Sequence, residues 1–237
     1  VLFMFDKIIG FIGAGNMATA IVNGLISQQN GKADFINVFD VSSEKCDIIA
    51  KLGVNICKTG EDVVKSSDII VLAVKPQNYP EVLESLKSAV SLQKTFVSIA
   101  AGISIDFVQR GLDCKCPVVR VMPNTPLLLK KGASALCPSD NISDEDKQTV
   151  YDMFAGSGVC EYITEEHMNE IISVNGSSPA YIYLFAKAMA DYAKSKGIQI
   201  LGEYVDRAKT GMSDDRPDFQ RMIRDSETKS FGNVIVW

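Results

Sequence analysis

A single histidine stands in the 237 residues of this chain, and that scarcity removes whole classes of chemistry. Zinc sites built on paired histidines and Ser-His-Asp hydrolysis both need more than His167 alone supplies. His167 itself lies in the polar stretch EEHMNE and reads as a solvated helix position. The six cysteines, at 46, 57, 114, 116, 137 and 160, contain no CxxC pair and no secretory context. They read as reduced cytosolic thiols used mainly in packing, and no metal site is expected. Positive charge is short as well. With 24 Lys and Arg against 29 Asp and Glu, the net charge of −5 argues against nucleic acid or an anionic membrane as the main partner. No apolar run approaches the ~20 residues of a membrane-spanning helix. The opening VLFMFDKIIGF is interrupted by Asp6 and Lys7 and reads as a first strand, not as a signal peptide.

What is present is a globular composition, 46% hydrophobic and 22% charged, with length enough for one large or two modest domains. The chain is organised around KIIGFIGAGNMATAIVNGLI, Lys7 to Ile26. An apolar run ends in Gly13-Ala14-Gly15-Asn16-Met17-Ala18, after which apolar residues recur at helical spacing. In a strand, glycine turn and helix of this kind, the first glycine makes the turn and the second admits a pyrophosphate. The third position, Ala18, must be small so that helix and strand can pack. Free N–H groups at the helix start then bind an anion without a lysine.

The following stretches repeat the theme. Phe35 to Phe39 is a second strand, and Asp40 at its end is placed to accept from ribose hydroxyls and to repel a 2′-phosphate. Ser42, Ser43 and Lys45 follow at once; they can hold that phosphate instead, or a serine can cap the next helix. The choice between NADH and NADPH stays open on these residues. Ile69 to Val74 reads as a central strand buried on both faces. Its exit, Ala73-Val74-Lys75-Pro76, should border the cofactor, because ligands sit outside the carboxyl ends of strands in open α/β sheets. Thr95 to Ile99 is a strand leaving through the small residues Ala100-Ala101-Gly102, and Val118 to Met122 leaves through Pro123-Asn124-Thr125-Pro126. Alternating units of this kind predict an α/β fold, a doubly wound parallel Rossmann-type sheet. Further strands are expected near Ala133 to Cys137 and Val159 to Ile163, then helices from Glu165. Ser178 is the expected cap and Pro179 the first residue of a helix running to Lys196. The stripe of Tyr183, Phe185 and Met189 on that helix reads as core or subunit interface.

The motifs IGFIGAGNMATAI, LAVKPQ, SIAAGIS, RVMPNTP and NGSSPAY, in this order and at these spacings, resemble the pyrroline-5-carboxylate reductase family over about residues 8–197. The resemblance implies reduction of a cyclic imine, pyrroline-5-carboxylate, to proline with NADPH or NADH. It also implies a cytoplasmic homodimer or larger homo-oligomer and the last step of proline biosynthesis. By that resemblance Gly13, Gly15, Asn16, Met17 and Ala18 cradle the pyrophosphate, with Asp40 and Ser42 at the adenosine end. Ala73, Val74, Lys75, Pro76, Ala100, Ala101 and Gly102 flank ribose and nicotinamide, and Met122, Pro123, Asn124, Thr125 and Ser177 border the substrate. No catalytic acid or nucleophile is assigned, because a protonated imine carbon is already electrophilic and the protein's task is positioning.

Two features depart from the resemblance. Ser178 stands where the family usually has the second glycine of GSGPAY, a serine that also makes a good cap. After Gly197 the apolar helices that interlock subunits, and a Ser-Pro-Gly-Gly-Thr-Thr loop that holds the substrate, give way to a different composition. Between Glu203 and Lys229 nearly half the residues are charged. The expected organisation is therefore a Rossmann domain over 1–164, a helical region over 165–200 that starts a dimerisation domain, and an atypical tail over 201–237. That tail is a candidate for disorder and reads as a frameshifted or truncated gene. The helical region is then incomplete, and a non-catalytic dinucleotide-binding protein is the alternative function.

Overall fold

In the computed structural model, residues 6–197 and 217–228 are described. The chain divides into two compact units, Val1–Tyr181 and Ile182–Trp237. The first holds one eight-stranded sheet in the order β3-β2-β1-β4-β5-β6-β7-β8. Its strands are β1 (Ile9–Ile12), β2 (Ile36–Phe39), β3 (Asn55–Ile56), β4 (Ile69–Leu72), β5 (Thr95–Ser98), β6 (Val118–Met122), β7 (Gly132–Pro138) and β8 (Gly158–Tyr162). The helices between and after them are α1 (Asn16–Gln28), α2 (Ser43–Ala50), α3 (Gly60–Ser66), α4 (Tyr79–Leu86), α5 (Ile105–Gly111), α6 (Asp144–Ala155) and α7 (Met168–Ile171). Helix α8 (Ser178–Ser195) crosses into the second unit, which also contains α9 (Pro217–Glu227).

The continuous apolar strands do what burial on both faces requires. Along β4, Ile69 and Val71 face one layer with Ile9, Phe11, Val97 and residues of α1 and α6. Ile70 and Leu72 face the other layer with Phe96 and residues of α3, α4 and α5. A two-residue period thus feeds two helical layers from one strand. Gly10 sits where α3 crosses β1, and a Cβ there would lie 2.5 Å from Val63 Cγ1. At the opposite end from the glycine turn, Lys7 pairs with Asp146, whose other carboxylate oxygen accepts from Thr95 Oγ1 at 2.6 Å.

Two strands at one edge, β7 and β8, run opposite to the other six. Strand β7 runs antiparallel to β6, with Arg120 opposite Cys137. The connection between them carries only a 3₁₀ turn, Thr125–Leu129, and so short a link cannot make the crossover that a parallel neighbour needs. The helix start near Ser178 also differs from expectation. The chain passes from α7 through a π-helical turn, Ile172–Gly176, into α8, and Ser178 is already helical. Its hydroxyl donates back to the Val174 carbonyl and caps nothing; the Ser177 carbonyl accepts the first helical N–H groups. The expectation of a disordered tail falls mostly outside the described residues; of that stretch α9 is described as a helix.

Candidate functional site

Parallel neighbours in the order β2-β1-β4-β5-β6 place the carboxyl ends of five strands along one edge. The predicted residues Asp40, Gly13, Ala73, Ala100 and Met122 therefore form a row, with the change of winding direction between β1 and β4. That reversal opens a crevice, because connections on its two sides leave in opposite directions.

The two glycines of the first turn have different surroundings. Gly13 has φ +104°, and a Cβ on it would lie 2.6 Å from the Ala73 carbonyl oxygen. Gly15 has φ −77°, which any residue adopts, and a Cβ on it would meet nothing within 4 Å. The first glycine is thus required by the backbone, whereas the second keeps a space clear. Helix α1 starts at that space with no side-chain cap and no acidic residue in its first turn. Its leading N–H groups and the positive end of its dipole are left for an external anion. Ala18 is buried against the strand layer, Met17 is half-buried against the same layer, and Asn16 is exposed.

Asp40 is held tightly. Its Oδ2 accepts the Ala14 N–H and its Oδ1 the Ser42 N–H, each at 2.8 Å, and Lys45 Nζ lies 3.7 Å away. Ser42 Oγ accepts the Lys45 N–H at 3.4 Å and is the N-cap of α2. Beyond β4, Ala73 is half-buried while Lys75 and Pro76 are exposed, with Pro76 opening a 3₁₀ turn, Pro76–Asn78. That turn leads to Tyr79, which the sequence reading did not single out. Its hydroxyl donates to the Leu72 carbonyl at 2.9 Å and lies 3.0 Å from Ser98 Oγ, which must then be the donor to it. Burial pushes its ionisation well above the usual phenol range. Tyr79 thereby ties the last residues of β4 and β5 together, just before the Ala73–Pro76 and Ala100–Gly102 exits. Ala100 is buried; Ala101 and Gly102 are exposed, and Gly102 has φ +77° with open space beside it.

At the β6 exit Pro123 is buried, Met122 and Asn124 are half-buried and Thr125 is exposed. Asn124 Oδ1 accepts the Ala133 N–H and its Nδ2 donates to Asn175 Oδ1, both at 2.9 Å. Asn175 Nδ2 donates at 2.9 Å to the carbonyls of Met122 and Ala133. The π turn thus brings the half-buried Ser177 to the same end as Met122–Thr125. Two residues before Met122 on β6, Arg120 is buried, with Nη2 donating to Asn169 Oδ1 at 2.7 Å and Nη1 3.6 Å from Glu165 Oε1. Glu165 also accepts the Ile105 N–H at 2.8 Å. Burial and the Glu165 charge push the neighbouring Cys137 thiol up against the opposing pull of Arg120, so that thiol stays protonated. Asn175, Tyr79 and Arg120 act through partners remote in sequence; of the three, only Tyr79 lies in no motif quoted for the resemblance. His167 is exposed and bonds Glu170 at 2.9 Å. No cluster able to hold a metal ion is found among the described residues.

Residues 8–102 match the family model described as NADP oxidoreductase coenzyme F420-dependent, and residues 165–200 match pyrroline-5-carboxylate reductase dimerisation. Residues 186–237 match the model of the resolvase N-terminal domain. The pyrroline-5-carboxylate reductase of Escherichia coli K12 is 37% identical over 194 residues, covering 81% of this chain and 72% of its own. Among solved structures, the pyrroline-5-carboxylate reductase of Coxiella burnetii superposes with a TM-score of 0.75 at 31% identity, covering 82% of this chain and 73% of that one. The Plasmodium falciparum pyrroline carboxylate reductase, solved with NADP bound, gives 0.73 at 29% identity, covering 83% and 72%.

Proposed function

This chain belongs to the pyrroline-5-carboxylate reductase family, and we propose that its cleft reduces pyrroline-5-carboxylate to proline with NADPH or NADH. The observation that carries the reading is the glycine pair: a clear space beside Gly15 at the uncapped start of α1, in the crevice of a doubly wound sheet. A dinucleotide fits that space, since its pyrophosphate supplies the anion that the helix start lacks. When bound, the nicotinamide supplies a hydride to the imine carbon. The chain's own part is positioning. Gly13 to Ala18 hold the pyrophosphate, Asp40 and Ser42 meet the adenosine ribose, and the Ala73–Pro76 and Ala100–Gly102 exits flank the nicotinamide half. Met122 to Thr125 and Ser177 border the imine. No side chain has to transfer a proton before the hydride moves, because the imine is protonated from water.

Asp40 favours NADH, since a second anion beside its carboxylate is repelled, while Lys45 is the cation available to a 2′-phosphate. All six cysteines are free and no helix among the described residues is long and apolar enough to cross a membrane, which supports a cytoplasmic enzyme. We assign dinucleotide binding to 1–164 and the start of subunit association to 165–200. A second reading, dinucleotide binding without turnover, is favoured by the resolvase-type match, which overlaps the dimerisation match over 186–200 within and just after α8. The test is oxidation of NADPH and of NADH, followed optically with and without pyrroline-5-carboxylate. Turnover that requires the imine supports the reductase; cofactor binding without turnover supports the second reading.

A further inference from the structure

Asn175 lies in the π turn between α7 and α8, where the Ser177 N–H reaches back five residues to the Ile172 carbonyl at 3.0 Å. Such turns are uncommon and occur often at functional sites. Here the turn carries Asn175 against β6 and β7, and every polar group of its side chain is used. Both N–H groups are donated to carbonyls, of Met122 and Ala133, and Oδ1 accepts from Asn124. Turning this amide over would set Oδ1 against two carbonyl oxygens, so only one orientation satisfies the site. Asn124 is fixed in turn, because its Oδ1 takes the Ala133 N–H.

One group is left over. The second N–H of Asn124 has no partner among the described residues, and Asn124 is half-buried at the β6 exit. A free asparagine offers either an oxygen or a nitrogen to a ligand. Held by Asn175 and by the Ala133 N–H, this one keeps its oxygen turned toward β7 and offers its remaining N–H as a donor. Resting on the reductase reading above, we propose that Asn175 is a positioning residue: it fixes Asn124 as a hydrogen-bond donor toward an oxygen of the bound ligand. The oxygen is that of the nicotinamide carboxamide or of the imine's carboxylate, and the two sources are separable.

The variants are Asn175→Asp and Asn175→Ala, compared with the unmodified chain from about pH 5.5 to about pH 8. An ionised aspartate faces two carbonyls with no donor, and kcat/KM is expected to fall roughly 30-fold at the alkaline end. The two carbonyls favour the neutral acid and raise its pKa, so the protonated side chain regains one donor as pH falls. Recovery to within about threefold of the unmodified chain is expected near pH 5.5. Asn175→Ala should lose activity by the same factor at every pH. A carboxamide acceptor predicts that the dissociation constants of NADH and NADPH, measured by calorimetry without imine, move with the same pH dependence. An imine acceptor predicts that only the KM for the imine moves. The exchange rate of the Ala133 amide, relative to the unmodified chain at each pH, reads the Asn124 orientation even if the chain never turns over. Protection lost in Asn175→Asp at the alkaline end and regained at the acid end supports the proposal. A flat pH ratio or unchanged Ala133 protection overturns it, whereas absent turnover in the unmodified chain overturns only the reductase reading.

Discussion

Asp40 Oδ2 accepts the Ala14 N–H at 2.8 Å, so the carboxylate that ends β2 is anchored to the glycine turn that ends β1. The bond gives Asp40 two tasks, bracing the turn and meeting the ribose, and cofactor preference separates them. Asp40→Ala is expected to weaken NADH by about tenfold, the equivalent of about 1.4 kcal/mol. NADPH should lose less, because removal of the carboxylate also removes repulsion of its phosphate. Titration of each reduced cofactor by fluorescence checks this; equal losses would show that Asp40 only braces the turn.

Gly13 and Gly15 should fail in different ways. At Gly13 a side chain meets both a positive φ and the Ala73 carbonyl, so Gly13→Ala should cost on the order of 2–3 kcal/mol of folding stability. At Gly15 the conformation is ordinary and the space beside it open. Gly15→Val should therefore unfold within about 0.5 kcal/mol of the unmodified chain. Its cofactor affinity should nevertheless fall by roughly 100-fold, about 2.7 kcal/mol. Urea unfolding beside cofactor titration distinguishes the two, and a stable Gly15→Val that still binds would remove the pyrophosphate from this turn.

Tyr79→Phe removes the hydroxyl that joins the ends of β4 and β5. With the Leu72 carbonyl and Ser98 hydroxyl both left inside the protein, the loss should be about 1–3 kcal/mol. The ring still fills its place, so the cooperativity of unfolding should not change. A change below about 0.5 kcal/mol would mean that water or backbone adjustment replaces the bond.

The strand ends were legible because glycine, proline and small residues interrupt the apolar runs. Val118–Met122 has the predicted bounds, and β1, β4 and β5 begin or end within two residues of theirs. Periodicity and turn chemistry are local, and so are the features they reveal. The reversal of β7 depends on how far the Pro123–Lys131 link can reach. Ser178 was expected to cap α8 because serine usually does so, but the π turn makes the Val174 carbonyl available to its hydroxyl. Asn175 and Arg120 stood within recognised motifs, yet their tasks come from partners 53 and 49 residues away. No spacing rule along the chain encodes such pairs.

Helix α8 carries Tyr181, Ile182, Tyr183, Leu184 and Phe185 in succession, all with more than half of their surface exposed. Five consecutive positions cover every direction around a helix, so this is no amphipathic stripe facing one core. A helix apolar all round is stable when it is surrounded, and the match to the dimerisation model over 165–200 supports a second copy as what surrounds it. The unmodified chain should then scatter light as a dimer or larger assembly at micromolar concentration, whereas Phe185→Asp should shift it toward monomer by placing a charge in the contact. Cofactor affinity in that variant should stay near the unmodified value, because Gly13, Gly15 and Asp40 belong to the other compact unit. Imine turnover should fall with the loss of assembly if the substrate end needs the second copy. A monomeric unmodified chain with intact turnover would instead show that one chain completes the site.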